Sequence, residues 1–347
     1  MTSTIPGIDL SAARSAQLRL DRKTKPQGSL GRLEELAVSL AGMTGKEAPL
    51  FLRKAVLVAA GDHGVCKQGV SAFPAEVTPQ MVLNFLNGGA AINVLARHAG
   101  AEVWVVDAGV NCEPFAPQKN LIHGSKIGRG TADMTQGPAM SRADAQRCFE
   151  LGAQVIERLA AEGLDMLATG DMGIGNTTAS SAIATAALSL PARDMCGRGT
   201  GIDAGAWEHK VAMVEKAVAL HKPDPSDALD LLSKVGGFEI GVLAGAILEA
   251  SRRRIPVILD GFISGAAALL AAIHDPASRH YMIASHQSVE IGHRHVLERL
   301  GLKAYLNLDL RLGEGTGAAL CFHLVDASCR VMQEMATFES AGVSDKA

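Results

Sequence analysis

Thr169-Gly170-Asp171-Met172-Gly173-Ile174-Gly175-Asn176-Thr177-Thr178 is the stretch on which the reading of this chain turns. The apolar run Leu164 to Ala168 before it reads as a short buried strand, and the Ala/Ser-rich run Ala179 to Leu188 after it reads as a helix. Strand, glycine loop and helix N-terminus in that order make an anion site. Glycines let the backbone come close, and free N–H groups at the helix start point at the ligand. Asn176, Thr177 and Thr178 add side-chain donors. Gly170 to Gly175 has the glycine spacing of a P-loop, but Asn176 stands where the P-loop lysine belongs. Nothing in the stretch reaches β- and γ-phosphates as that lysine does. A single phosphate, as on a nucleoside monophosphate or a phosphoribosyl group, fits better. A tight strand-to-helix turn with no ligand is the alternative reading of the loop taken alone.

The same strand-then-loop layout recurs along the chain. Six short apolar runs stand out: Lys54–Ala60, Glu102–Asp107, Leu164–Thr169, Ile255–Asp260, Tyr281–Ser285 and Ala304–Leu310. Most are continuous rather than alternating, which is how strands buried on both faces of a parallel sheet read. Helical segments separate them, so right-handed βαβ crossovers are implied. Each run ends in a polar or glycine-bearing loop: Gly61-Asp62-His63-Gly64, Asp107-Ala108-Gly109, Gly170 to Gly173, Asp260-Gly261-Phe262, Ser285-His286-Gln287 and Arg311 to Glu314. Open α/β sheets bind ligands at strand C-terminal ends, and polar loops at all six predict a functional face there. Two further glycine segments, Gly197 to Asp203 and Gly236 to Gly241, read as loops before helices that can add phosphate or carboxylate contacts.

Composition narrows the class. At 347 residues the chain accommodates an α/β domain plus a small appended one. Residues 10–48 carry helical spacing, with a basic break from Asp21 to Gly31 that reads as a solvated turn and a restart near Ser29 and Glu34. Gly315 to about Phe338 reads as a long helix, and Glu339 to Ala347 as a frayed polar tail. A net charge of -3 with interspersed signs speaks against a nucleic-acid or anionic-membrane partner. The 6 cysteines are scattered without a C-x-x-C pair, as expected of reduced thiols in the cytoplasm. The start of the chain lacks a signal-peptide pattern, and Asp260, Gly261 and Ser264 interrupt the longest apolar stretch, so no membrane span is expected.

Several side chains are candidates for chemistry. Glu314, between Gly313 and Gly315 at a helix start, is a candidate base if burial raises its pKa; a dipole-capping glutamate is the equal alternative. Asp171, inside the glycine loop, can bind a ribose hydroxyl, support the base, or do no more than form the turn. Lys210 is the best-placed cation for a phosphate or substrate carboxylate, against the commoner outcome of a solvated helix lysine. His286, His293 and His295 lack metal-site spacing, so no metal is expected. Asp62-His63 reads equally as an acid–base dyad or a hydrogen-bonded loop pair.

Six segments together resemble the nicotinate-nucleotide:5,6-dimethylbenzimidazole phosphoribosyltransferase family of cobalamin biosynthesis. They are Lys25 to Glu34, Ala60 to Val65, Val77 through Asn93, Gly170 to Thr178, Gly197 to Asp203 and Arg311 to Ala318, and they span nearly the whole chain. The resemblance implies a doubly wound, mostly parallel, six-stranded Rossmann-like α/β sheet. With it comes a small helical domain from residues 1–48 and about 320–347, leaving 49–319 as the large domain with the active site, and a homodimer. It also implies a reaction: nicotinate mononucleotide gives its phosphoribosyl group to dimethylbenzimidazole with inversion, yielding α-ribazole 5′-phosphate and nicotinate without a cofactor. Glu314 matches the catalytic glutamate that takes the benzimidazole proton, a role for which a positioned base supplies roughly 10²–10⁴-fold in rate. Asp171 stands where the family more often has Glu, and Lys210 matches a lysine near the phosphate. Gly173, Ile174, Gly175, Asn176, Thr177, Gly199, Leu312 and Gly313 are the further substrate contacts implied, with Phe73 and Met81 as apolar walls for the base. A non-catalytic nucleotide-binding protein of the same fold and a small-molecule kinase are the rival readings, the latter opposed by the missing P-loop lysine.

Overall fold

A computed structural model describes residues 4–199 and 201–344. Thr200, in the second glycine segment, and the last three residues of the predicted tail lie outside the described residues, as do residues 1–3. The strands are β1 Lys54–Gly61, β2 Ala101–Gly109, β3 Leu121–Ile122, β4 Met166–Met172, β5 Val257–Leu259 and β6 Met282–Ala284. They form one sheet in the order β3-β2-β1-β4-β5-β6, and every pairing is parallel. All eight residues of β1 are buried, because helices cover both faces of the sheet. The strand order reverses at β1, which pairs β2 on one side and β4 on the other. That switch point is where a doubly wound sheet opens a crevice.

Five of the six expected strands are present, and the sixth is a different segment. Ala304–Leu310 makes a single isolated parallel bridge, Leu306 with His286, beside the chain leaving β6. Asp309 in that segment has a left-handed φ of 54°, which no extended strand tolerates, and Leu308 is exposed. The true sixth strand, Leu121–Ile122, is too short to produce a sequence pattern.

The chain ends also depart from expectation. Helices Leu10–Asp21 and Arg32–Thr44 are present, but Gly31 rather than Ser29 precedes the second. Glu34 folds back to accept the Leu30 N–H at 2.9 Å and pairs with Lys25 at 2.8 Å. The turn between the helices is solvated from Pro26 to Gly31, but its lysines are not: Lys23 and Lys25 are both buried, and Lys23 Nζ donates to the carbonyl of Met335. These helices enclose a cluster of Ala16, Leu20, Ala37, Ala41 and Met332, while Leu36 and Leu40 join the main core. The last long helix, Thr316–Glu334, ends before Phe338, and the expected frayed tail begins with a helical turn, Phe338–Ala341, capped by Thr337 and Ser340.

Two contacts bring the end of the chain onto the sheet. Asp260, at the C-terminal end of β5, accepts backbone N–H bonds from Gly315 at 3.1 Å, Gly317 at 2.8 Å and Ala318 at 3.1 Å. A distant carboxylate thus caps helix Thr316–Glu334 and satisfies its orphan donors. Beside it, the backbones of Gly170 and Glu314-Gly315 cross so closely that a side chain on Gly170 would collide with the Glu314 carbonyl. We expect Asp260→Ala, which strands three buried donors, to lower the unfolding free energy by about 2–4 kcal/mol. Denaturant titration reads this, and a loss below about 0.5 kcal/mol contradicts the capping role.

Candidate active site

A cavity of about 410 Å³ opens at the C-terminal ends of β4, β5 and β6. One wall is the loop and helix start from Asp171 to Thr177, with Gly199 beside it. Phe73, Val77 and Met81 form an apolar wall, Phe262 and Ile263 a second, and Arg311 to Glu314 close a third side. His286, Ser288 and Glu290 complete the lining. A smaller hollow of about 220 Å³, near Lys54, Glu102 and Trp104, lies at the opposite end of the strands and shares no residue with this one.

Of the residues expected to touch substrate, Phe73, Met81, Asp171, Gly173, Ile174, Asn176, Thr177, Gly199, Leu312, Gly313 and Glu314 all line the cavity. Gly175 and Lys210 do not. Gly175, at a φ of 91°, faces Cys66, whose sulfur leaves no room for a side chain there. The missing side chain thus makes room for that sulfur. Lys210 is wholly buried behind the lining, where Nζ donates to Thr177 Oγ1 at 2.9 Å and to the Gly197 carbonyl at 3.3 Å. Burial pulls its pKa down, against the charge of Glu290. By occupying the Thr177 oxygen, the ammonium leaves the threonine hydroxyl hydrogen free for a ligand. The helix start offers fewer backbone donors than its pattern promises: the Asn176 N–H turns back to Gly173 at 3.1 Å and the Thr178 N–H to Gly175 at 2.9 Å.

Two carboxyl-bearing residues, Asp171 and Glu314, line the cavity. Glu314 is buried and has a φ of 62°, with left-handed glycines on both sides. A conformation that costs a non-glycine residue about 1–2 kcal/mol is held there by the crossing with Gly170 and by the Asp260 cap. Its Oε2 accepts the Ile92 N–H at 3.3 Å, at the N-terminus of helix Ala91–His98. Burial raises its pKa, opposed by that hydrogen bond. Asp171 is pushed well above the ordinary carboxyl range, first by burial and then by the charges of Asp260 and Glu239. Asn176 Nδ2 donates to its Oδ1 at 3.0 Å, while Oδ2 has no partner among the described residues. The stronger upward push falls on Asp171, so Glu314 is the carboxyl that ionises first. Burial also lifts Asp260, to about 7, against its three backbone bonds.

Other candidates point elsewhere. Polar loops follow every strand, yet Gly61-Asp62-His63-Gly64 after β1 and Asp107-Ala108-Gly109 after β2 do not line the cavity. His63 Nε2 pairs with Glu239 at 2.8 Å in a fully buried contact, so its hydrogen-bond partner is Glu239 rather than Asp62. Gly237 packs against that pair, and residues 236–241 do not line the cavity. Asp107 pairs with Lys126 at 3.1 Å. His286 lines the cavity, His293 lies beneath it with the rings 6.1 Å apart, and burial lowers their pKa values to about 4 and about 3. His295 turns to Glu298 at 3.6 Å. Glu290 escaped sequence reasoning altogether: it sits in an unremarkable helix start, and only the fold carries it to the wall.

The sequence matches the family described as phosphoribosyltransferase from residue 5 to residue 343. The chain belongs to that family. Similar proteins include the nicotinate-nucleotide–dimethylbenzimidazole phosphoribosyltransferase of Chloroflexus aggregans, 57% identical across 100% of this chain and 98% of that protein. The Geotalea uraniireducens protein of the same name is 52% identical across 98% of this chain and 96% of its own length. The crystal structure of CobT from Thermus thermophilus matches with a TM-score of 0.93 at 46% identity, covering 97% of this chain and 100% of that one. The six-stranded doubly wound architecture is therefore that of a phosphoribosyltransferase relative over the whole length. Among the described residues no helix is long and apolar enough to cross a membrane.

A base works only when deprotonated, so raising the pKa of Glu314 moves the onset of activity to higher pH. We expect the acid limb of the kcat/KM profile to lie above the usual glutamate value of 4.5. It should be absent from the residual activity of Glu314→Gln; a limb that persists there belongs to another group.

Proposed function

We propose that this phosphoribosyltransferase transfers the phosphoribosyl group of nicotinate mononucleotide to 5,6-dimethylbenzimidazole. The products are α-ribazole 5′-phosphate and nicotinate, in the assembly of the lower ligand of cobalamin. The observation that carries the reading is that one cavity joins Glu314 to the helix start at Asn176 and Thr177, backed by Lys210. Glu314 accepts the proton from one benzimidazole nitrogen while the other attacks the anomeric carbon. Its burial keeps it basic enough for a weakly acidic N–H. The pyridinium is a good leaving group, so no strong acid is required. Thr177, its hydroxyl oriented by Lys210, takes the phosphate with Asn176, Gly173, Ile174 and Gly199 around it. Asp171, pushed toward its neutral form by burial and by the neighbouring carboxylates, stands beside that phosphate and can hydrogen-bond the sugar. Phe73, Val77 and Met81 give the methylated ring apolar walls, with Leu312 and Gly313 on the adjoining side. Such walls select flat apolar rings by size, so other benzimidazoles are expected to compete.

The assembly is read as a cytoplasmic homodimer. Phe73 and Leu312 are apolar, line the cavity and are 52% and 58% exposed, which suits a second copy covering the mouth. Six free cysteines accord with a reducing compartment. The two chain ends, residues 1–48 and about 320–347, are taken as one helical unit against the site-bearing 49–319, on the strength of their own small cluster.

The direct test is release of nicotinate from its mononucleotide in the presence and absence of dimethylbenzimidazole; no base-dependent release at saturating substrates ends the proposal. Glu314→Gln should retain nucleotide binding and lose roughly 10²–10⁴-fold in kcat. Asp171→Asn, which mimics the protonated acid, should lose less. The reverse ranking would exchange their roles.

A further inference from the structure

Glu290 is buried, with 6% of its surface exposed. It occupies the N-cap position of helix Ile291–Leu300, yet its side chain makes no capping bond to that helix. Its backbone is held on both sides: the N–H donates to Ser288 Oγ at 3.3 Å, and the carbonyl accepts the His293 N–H at 3.0 Å. The first turn of the helix is pressed against the chain that leads into the second glycine segment, because a side chain on Gly292 would meet the Met195 carbonyl. From this anchored position the carboxylate turns behind the cavity wall to that segment. Oε1 accepts the Gly199 N–H at 2.9 Å, and the group lies where a side chain on Gly197 would otherwise sit. A glutamate so placed gives its own helix start no cap; what it holds is the loop.

The other face of the loop meets the groups assigned to the phosphate. Gly199 has a φ of 52°, and a side chain there would stand 2.9 Å from Thr177 Oγ1 and 3.3 Å from Lys210 Nζ. The Gly197 carbonyl accepts from Lys210 Nζ at 3.3 Å, and the same ammonium donates to Thr177 Oγ1 at 2.9 Å. The backbone from Gly197 to Gly199 is thus packed between the Glu290 carboxylate and the Lys210–Thr177 pair, with no room for a side chain at either glycine. Lys210 is wholly buried, which disfavours its charge, and Glu290 is the first of the groups whose charge favours the ammonium. An inference that rests on the phosphoribosyl transfer proposed above follows from this packing. We propose that Glu290 is a positioning residue for the phosphate: its carboxylate holds the Gly197–Gly199 backbone against Lys210, and Lys210 in turn holds the Thr177 hydroxyl for the nucleotide. Glu290 itself touches no substrate atom. Its loss frees the loop, Lys210 and Thr177 together, and the penalty falls on the phosphate rather than on the pyridine ring or the incoming base.

The test compares two ligands by dissociation constant: nicotinate mononucleotide and the riboside that lacks its phosphate. Wild type should bind the mononucleotide about 10- to 100-fold more tightly, the range of a hydrogen bond to a charged group. Glu290→Ala should lose about 3- to 10-fold on the mononucleotide, the range of one ordinary hydrogen bond, and nothing on the riboside. Glu290→Gln, which keeps an oxygen for the Gly199 N–H, should recover part of that loss. Gly197→Ala, whose methyl group displaces the carboxylate, should reproduce it. The double variant should bind about as well as Glu290→Ala alone, because the methyl group then enters vacated space and the two effects are not independent. Equal losses on both ligands overturn the proposal, and so do losses that multiply in the double variant. Wild type supplies a measurement that no misfolded variant can obscure. Amide hydrogen exchange in the peptide carrying Gly197 and Gly199 should slow on binding the mononucleotide and not on binding the riboside; unchanged exchange overturns the proposal. Phosphate discrimination that survives intact in Glu290→Ala removes only the role of Glu290. Equal binding of the two ligands by wild type removes the phosphate grip and this proposal with it, and failure of wild type to bind the mononucleotide removes the transfer reading as well.

Discussion

The carboxylate of Asp260 and the backbone N–H groups of Gly315, Gly317 and Ala318 form the contact on which the site depends. The residues are 55 to 58 positions apart in sequence, and the cap ties the start of the last helix to the end of β5. Because Glu314 immediately precedes that helix, fixing the helix start fixes the residue. The left-handed backbone of Glu314 is unfavourable on its own and is tolerated because the residues after it are pinned. A flexible loop would not hold a carboxylate in one place above the sheet, and a base that is out of position contributes little.

Burial does two things around that contact. It raises the carboxyls, and it does so unequally. Asp171 sits among Asp260, Glu239 and Glu314 and takes the largest push, whereas Glu314 has the N-terminus of helix Ala91–His98 to favour its charged form. Two carboxyls of similar chemistry are thereby pushed unequally toward their neutral forms, an arrangement that suits a site in which one accepts a proton and the other lies beside an anion. The cations follow a related logic. Lys210 is kept behind the wall and acts through the Thr177 hydroxyl, so its charge is felt without its bulk occupying the cavity.

Much of this is legible in the sequence because it is local. Continuous apolar runs announce strands covered on both faces, and a glycine loop between strand and helix announces the turn at Gly170 to Gly175. The placement of Asp171, Asn176 and Thr177 on one edge follows from the rule that parallel strands all present their C-terminal ends to the same side, whereas Glu314 reaches that edge through the Asp260 cap and not through a strand of its own. The departures share a cause as well. Ala304–Leu310 has strand composition but carries Asp309 in a left-handed turn and meets its neighbour only through the Leu306–His286 bridge, and the basic segment near the start has the composition of a solvated turn although Lys23 is buried against the carbonyl of Met335. In both cases a contact across the fold overrides local preference.

By itself the sequence determined the class of sheet, the order of strand and helix, the absence of a P-loop lysine from the glycine loop and the family, since each is written in residue type and spacing. Tertiary structure alone decided which polar loops converge. It turned His63 toward Glu239 and the Gly175 backbone toward Cys66, and it brought Glu290 to a wall that no local pattern predicts. It also set the protonation order of Asp171 and Glu314, because desolvation and like-charge repulsion depend on distances through space, and a one-dimensional spacing does not contain them.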